Sequence, residues 1–447
     1  MFSKVLIANR GEAAVRIIRA CKEMGIETVA VYSEADSEAL HTNMADESYC
    51  IGASSLKDSY LNMDAIITLA LKVEAQAIHP GYGMLSENPE FARRCEEEGL
   101  VFIGPSAEII KDMGLKECAR GVAKSVGVPV LEGSDILKDE EEAAEFADKL
   151  GYPVILKARA GGGGKGIRIV HEKEKLHQAF LEVKAEAKNA FGDDAVFIEK
   201  YLVSAKHVEV QILGDKTGKV ISILDRDCSV QRKNQKLIEE CPAPYISEKV
   251  RRALHESAIK IAECVEYVTV GTVEFLVNGD DFYFLEMNTR LQVEHSVTEM
   301  VSGIDIVKWQ IRTAAGVPIE FSKYDIRNDF SAIECRICAE DPVTMRPSTG
   351  KIELLNIPGG MNVRFDGALY NDLVISPFYD SMLGKLVVAA RTREEAIRKM
   401  KCALSELVIV GVSTNRDLHM KIMENENFIS GRYTTDFCQK LMEKHEA

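Results

Sequence analysis

Apolar residues recur along this chain in two rhythms. Val5–Ala8, Thr28–Tyr32, Ala77–His79 and Val101–Ile103 are short, mostly apolar runs, whereas Glu12–Met24, Tyr60–Leu71 and Asn88–Glu98 bring an apolar side chain back every third or fourth position. The first pattern suits strands buried on both faces and the second suits amphipathic helices. Their alternation predicts βαβ units and a parallel sheet in the first hundred residues. The turn after the first strand, Ala8-Asn9-Arg10-Gly11-Glu12, opens a helix as a nucleotide-binding fold would. It has no GxGxxG, so dinucleotide binding is not expected there.

A second unit begins near Met113-Gly114-Leu115-Lys116. Its clearest part is the strand pattern Gly151–Lys157, a glycine-rich stretch to Gly166, and a second strand pattern Ile167–Val170. Residues 161–166 fit GxGxxG, but the segment after them is β-branched and about four residues long before Glu172 starts a helix. The loop therefore joins two strands. It is not a Rossmann turn, and without a Gly-Lys-Ser/Thr ending it is not a Walker A loop. Glycines leave backbone N–H groups free to approach phosphate oxygens, so this loop is a candidate flap over a nucleotide. Strand patterns follow at Val196–Leu202, His207–Leu213 and Val220–Asp225, then a polar stretch Arg226–Glu240 and a helix around Val250–Tyr267. From about residue 331 a third unit mixes strands such as Lys385–Ala390 with a helix Glu394–Leu407.

Residues 281–298 carry the densest chemistry. Glu286, Asn288, Arg290, Gln292 and Glu294 occupy alternate positions, with Leu285, Met287, Thr289, Leu291 and Val293 between them. In a strand this sends the polar groups to one face. An ordinary half-exposed strand would also alternate, but two carboxylates, two amides and one guanidinium suit a metal and an anion. The preceding segment alternates too, and Asn278-Gly279-Asp280-Asp281 between them signals a hairpin. With Val277 opposite Tyr283, Glu274 falls opposite Glu286, and such pairs have Cβ atoms about 4.5–5.5 Å apart. Two carboxylates that close repel unless a cation lies between them, and as hard oxygen donors they fit Mg²⁺ or Mn²⁺.

Composition narrows the classes. The 447 residues are 46% hydrophobic and 28% charged, enough for two or three globular domains. A formal net charge of −15 argues against general nucleic-acid binding. The eleven cysteines are scattered, which suggests reduced thiols in a cytoplasm-like compartment. Cys335-Arg336-Ile337-Cys338 is a lone CxxC whose thiols would point to opposite faces of a strand, so zinc is not expected. No signal-peptide pattern opens the chain and no run approaches the ~20 apolar residues of a membrane span, so a cytoplasmic location is expected.

A glycine loop after a lysine-bearing strand, followed by a carboxylate hairpin ending in Glu-x-Asn-x-Arg, resembles the ATP-grasp ligases. HPGYGMLSEN (79–88), KARAGGGGKG (157–166), RDCSVQRKNQK (226–236), EMNTRLQVEH (286–295), AIECRICAED (332–341) and YDSMLGKL (379–386) narrow the likeness to the biotin carboxylase family. The resemblance runs from Val5 to about Phe437. It implies an α/β protein with a Rossmann-like N-terminal domain (1–113), an ATP-grasp domain (114–330) with a lid near 130–202, and a C-terminal domain (331–447).

The same resemblance implies roles. Lys116 and Lys157 would meet the ATP phosphates with Gly163 and Gly164 in the flap; Glu199, Lys200 and Leu202 would surround adenine; His207, Gln231 and Asn234 would complete the nucleotide site. Glu274, Glu286 and Asn288 would hold two divalent metal ions. Lys236, Arg290, Gln292, Val293 and Glu294 would bind bicarbonate, Glu294 acting as base, and Arg336 would stabilise the biotin enolate. Asn234, Cys338 and Leu115 depart from residues familiar in the family and bear on affinity more than on reaction type. Biotinylated carriers present Met-Lys-Met at a hairpin tip, whereas Met400-Lys401-Cys402 sits in a helical pattern. The biotin carboxyl carrier protein and the carboxyltransferase subunits should therefore be separate chains. The family likeness further implies a homodimer, with Arg19, Glu23 and Arg364 as candidate interface residues. The expected activity is the first half-reaction of acetyl-CoA carboxylase, in fatty acid synthesis. A biotin carboxylase component of a pyruvate or other acyl-CoA carboxylase, another ATP-grasp ligase, and a non-catalytic regulatory paralogue are the alternatives.

Overall fold

A computed structural model describes residues 1–159, 166–342 and 344–446. The apolar runs of the N-terminal unit form β1 (Lys4–Ile7), β2 (Glu27–Ser33), β3 (Glu47–Gly52), β4 (Ala77–His79) and β5 (Val101–Phe102), all parallel in the order β3-β2-β1-β4-β5. The expected helices span Gly11–Glu23, Met63–Lys72 and Pro89–Glu97. The last begins where Asn88 accepts the Phe91 N–H and Pro89 supplies a preset φ, a start legible in sequence. β3 lacks an apolar run because it is an edge strand with no fully buried residue. Ile17 and Ile18 share one core with Val270, Ile306 and Ile311, so this unit is packed firmly on the centre of the molecule.

The second unit contains β6 (Val154–Ala158), β7 (Ile167–Val170) and β8 (Val196–Lys200), antiparallel in the order β7-β6-β8. Lys157 pairs with Ile167, so the glycine-rich stretch joins two antiparallel strands and is no strand-to-helix turn. Gly163 and Gly164 lie outside the described residues. Helices Glu140–Leu150 and Leu176–Phe191 cover this small sheet, closing a separate core of Ala143, Ala147, Leu156, Phe180, Val183 and Ile198.

A large sheet carries the rest. It comprises β9 (Lys206–Gly214), β10 (Val220–Arg232), β11 (Gln235–Cys241), β12 (Thr269–Asn278), β13 (Asp281–Asn288) and β14 (Ser331–Cys338), followed by strands Met382–Ala390 and Val363–Gly367. Their order is β13-β12-β9-β10-β11-β14, then Met382–Ala390 and Val363–Gly367. Hydrogen bonding between β11 and β14 therefore carries the sheet across residue 330 without a break. The polar stretch 226–240 is a β-hairpin. β10 continues to Arg232, Lys233 and Asn234 turn in the left-handed region with φ of 50° and 63°, and β11 returns. Arg226, Asp227, Glu239 and Glu240 are buried, so ionic pairs hidden inside the sheet give this hairpin the composition of a loop.

The β12–β13 hairpin places Glu274 opposite Glu286 as expected, by a different route. Asn278 pairs with Asp281 and Phe275 with Phe284, one register step away from the expectation; a bulge then shifts the ladder before Glu274. The alternating row does not stay in one strand, because β13 ends at Asn288 and Glu294 immediately precedes the helix His295–Ser302. Met400-Lys401-Cys402 lies inside helix Arg393–Glu406. All eleven cysteines are free, and among the described residues no helix is long and apolar enough to cross a membrane.

Candidate active site

Three buried carboxylates converge on one half-buried amine. Lys236, near the start of β11, donates to Glu209 Oε2 at 2.7 Å, Glu274 Oε1 at 2.9 Å and Glu294 Oε1 at 2.6 Å. Burial opposes its charge, yet Glu209, then Glu274 and Glu294, hold its pKa well above the ordinary lysine range. Glu274 also accepts from the amides of Asn288 and Gln292, both at 2.8 Å, while its second oxygen lies 2.7 Å from His207 Nε2. Burial alone would raise the Glu274 carboxyl, but Lys236 and then His207 keep it well below the usual carboxylate range. Its neighbour Glu286 is pushed the other way, by burial and then by the charge on Glu274.

Glu294 sits between two cations. Lys236 holds one oxygen and Arg336 Nη2 donates to the other at 3.0 Å. Burial is outweighed first by Lys236 and then by Arg336 and Arg226, leaving Glu294 ionised far below neutral pH. Arg336, on β14, is fixed through its Nε by Glu239 at 2.6 Å. Arg290 donates to Glu87 at 2.8 Å and to the Asn288 side-chain carbonyl oxygen at 3.1 Å. That amide thus links Arg290 to Glu274. The Val293 carbonyl accepts from Lys385 at 2.6 Å, anchoring the segment before Glu294 to strand Met382–Ala390.

Some residues expected around a nucleotide gather nearby. Lys157 donates to Glu199 at 2.5 Å, and Arg120 pairs with the same carboxylate. Burial, then the charge of Lys116, pushes Lys157 down to about 7. Gln231 bridges His207 Nδ1 and the Cys228 carbonyl. Lys200 instead donates to the Gly151 carbonyl at 2.7 Å, Leu202 is half-buried, and Asn234 is exposed at the β10–β11 tip. Arg364 is paired internally with Asp366 and Glu299, and Glu23 with Lys308.

Comparison with known proteins decides the family. The model described as "Biotin carboxylase, N-terminal domain" matches residues 1–110, "Carbamoyl-phosphate synthase L chain, ATP binding domain" matches 116–322, and "Biotin carboxylase C-terminal domain" matches 334–440. Biotin carboxylase 1 of Bacillus subtilis is 50% identical over 98% of each chain. The chain belongs to the biotin carboxylase family. It is accordingly an ATP-dependent ligase with the mixed α/β ATP-grasp architecture. A pyruvate carboxylase subunit from Methanothermobacter thermautotrophicus is also 50% identical, over 98% of this chain and 90% of its own length. Among solved structures, biotin carboxylase of Campylobacter jejuni in a β,γ-ATP complex superposes with a TM-score of 0.96 at 50% identity, covering 98% of this chain and 99% of that one. The biotin carboxylase domain dimer of Hydrogenobacter thermophilus 2-oxoglutarate carboxylase, bound to MgADP, ADP and bicarbonate, gives 0.96 at 49% identity over 98% of both chains.

Within this biotin carboxylase fold, several residues escaped sequence reading. Glu209 and Gln211 share one face of β9. Arg226, fully buried, donates to Glu209 at 2.5 Å, to Gln211 at 2.8 Å and to Gln292 at 3.0 Å. The alternation His207, Glu209, Gln211 against apolar Val208, Val210 and Ile212 was their available signal. Glu87 had none, since its partner Arg290 is 203 positions away. The donor set also fits a hard divalent cation: Glu274 and Glu286 are opposed oxygen donors, and the charge on one disfavours ionisation of the other.

Proposed function

We propose that this chain carboxylates biotin carried on a separate biotin carboxyl carrier protein, consuming ATP and bicarbonate and releasing ADP and phosphate. The observation that carries the reading is Glu294, an ionised buried carboxylate held between Lys236 and Arg336 in the structure of a biotin carboxylase family member. ATP, a divalent metal and bicarbonate are the small-molecule requirements, in keeping with the MgADP and bicarbonate bound by the Hydrogenobacter relative. Lys116 and Lys157 would meet the phosphates, and Glu274 and Glu286, with Asn288 between them and Arg290, would hold the metal. The metal supplies charge neutralisation at the phosphates.

Lys236, Arg290, Gln292 and the Val293 backbone would bind bicarbonate so that Glu294 takes its proton. The dianion attacks the γ-phosphorus, the bond to ADP breaks, and carboxyphosphate forms. Carboxyphosphate splits to CO₂ and phosphate; phosphate removes the ureido N–H proton of biotin, and the resulting enolate attacks CO₂. Arg336 balances the enolate charge. The lid near 130–202, with Gly163 and Gly164 in its flap, would exclude water that would hydrolyse the intermediate. Glu199, Lys200, Leu202, His207, Gln231 and Asn234 are assigned to the nucleoside side.

The acceptor is assigned to acetyl-CoA carboxylase, with a pyruvate or other acyl-CoA carboxylase as the alternative. Relatives named as subunits of pyruvate and 2-oxoglutarate carboxylases are as similar, at 50% and 49% identity, as those named biotin carboxylase, at 50% and 49%. Co-purification of the carboxyltransferase subunits decides between them, and sedimentation tests the homodimer. The proposed roles are tested by Arg290→Ala and Arg336→Ala, assayed in parallel for ADP release and carboxybiotin. Arg336→Ala should lose carboxybiotin while keeping bicarbonate-dependent ATP cleavage; Arg290→Ala should lose both by on the order of 10²-fold. Equal losses of both activities in both folded variants would refute this division of roles.

A further inference from the structure

Behind Arg336 lies a second pair of carboxylates. Glu239 on β11 and Glu334 on β14 are directly paired residues of the antiparallel ladder, and each is 0% exposed. Directly opposed side chains have Cβ atoms about 5 Å apart, within hydrogen-bonding reach for two glutamates. Glu239 Oε1 accepts from Arg336, but Glu239 Oε2 and both oxygens of Glu334 have no hydrogen-bond partner among the described residues. Three orphan oxygens in a dry sheet interior are costly, and two adjacent buried anions more so. A single proton shared between the two carboxyls pairs two of the three oxygens and removes one of the two charges.

We propose that Glu334 is a positioning residue held as the neutral acid, whose O–H donates to Glu239 Oε2 and so locks Glu239 onto Arg336. The inference rests on the role given above to Arg336. Locked in this way, Glu239 keeps the guanidinium turned so that its Nη2 reaches Glu294. The charged groups facing Glu334 are Glu239 from β11, Arg336 from its own strand, Lys385 from strand Met382–Ala390 and Glu294 at the start of helix His295–Ser302. That helix adds His295, kept neutral chiefly by burial, and Glu299, which faces Arg16 and Arg364. Burial, with Glu239's charge against the pull of Lys385, holds the Glu334 carboxyl well above the ordinary range; burial outweighs Arg336 at Glu239, leaving that group at about 7.

A carboxyl raised in the folded state carries a proton that the unfolded chain has released. Wild-type stability therefore falls as pH rises from the ordinary glutamate range towards the folded value, and Glu334→Gln, which mimics the neutral acid, escapes that loss. The test joins infrared spectroscopy, thermal unfolding and the two activity assays on the full chain. At neutral pH the carbonyl band of buried carboxylic acids should be weaker in Glu334→Gln than in the wild type by the contribution of one carboxyl, and the melting temperature of the variant should gain on the wild type as pH rises. Glu334→Leu, which leaves Glu239 Oε2 unpaired, should lower carboxybiotin formation by on the order of tenfold with ATP cleavage retained, and Glu334→Gln should restore it. The infrared and melting measurements use only the glutamine variant, so they stand if the leucine variant fails to fold. An acid band that Glu334→Gln leaves unchanged, or a glutamine variant less stable than wild type by a margin that does not vary with pH, overturns the shared proton. A folded leucine variant with full carboxybiotin formation overturns the positioning role. Should Arg336→Ala instead lower both activities equally, the role of Arg336 fails while the acid band remains.

Discussion

Replacing Lys236 with glutamine removes the one amine on which Glu209, Glu274 and Glu294 converge, at 2.7, 2.9 and 2.6 Å. Arg226, Arg336 and His207 remain to balance three buried anions. Breaking a buried ion pair by removing one partner costs about 3–5 kcal/mol, so thermal unfolding should shift down measurably while leaving a folded protein at moderate temperature. The larger consequence is electrostatic. Lys236 is the strongest of the groups that hold Glu294 below the usual carboxylate range, ahead of Arg336 and Arg226. In its proposed role as base, Glu294 works only above its folded pKa; in the wild type that threshold lies far below working pH, and without Lys236 it rises. The rate profile of Lys236→Gln should therefore gain an acid limb that the wild type lacks, together with a loss on the order of 10²–10³-fold in rate at its plateau, comparable to removal of one preorganised donor. The assay is bicarbonate-dependent ADP release measured across pH, with circular dichroism confirming the fold. A variant with a wild-type rate and no new acid limb would show that Glu294 is not tuned by this amine.

Glu286→Gln relieves a carboxyl pushed up by burial and by Glu274, so it should stabilise the metal-free protein slightly while raising the Mg²⁺ concentration needed for half-maximal activity; an unchanged metal titration removes Glu286 from the metal site. With Lys157 near 7, ADP phosphates should draw a proton onto it, so calorimetry just above neutral pH in buffers of different ionisation enthalpy should record proton uptake on ADP binding. Uptake that persists undiminished in Lys157→Met would place the proton elsewhere.

Much of this site was readable from short-range pattern. The hairpin turn, the two strands around the glycine-rich stretch and the alternating row all follow from local chemistry, and the resemblance ordered them along the chain. What the pattern could not supply was burial. Arg226, Asp227, Glu239 and Glu240 look like loop residues because strands are expected to be apolar, and only the assembled sheet shows them paired inside it. The Glu274–Glu286 pairing came out as expected although the turn sits one register step away, since the bulge at Leu285 restores the ladder. Arg290 and Glu87, or Lys385 and Val293, meet only because the three parts of the chain pack together, and no spacing rule spans 203 or 92 positions.

The proposed function requires the isolated chain to hold the whole machinery for carboxylating biotin. Its most direct test supplies the purified protein with free biotin, Mg²⁺, ATP and isotopically labelled bicarbonate, and follows ADP release and label in carboxybiotin together. ADP release should depend on both bicarbonate and biotin, and label should appear in carboxybiotin. Folded protein that binds ATP yet releases no biotin-dependent ADP and transfers no label would contradict it.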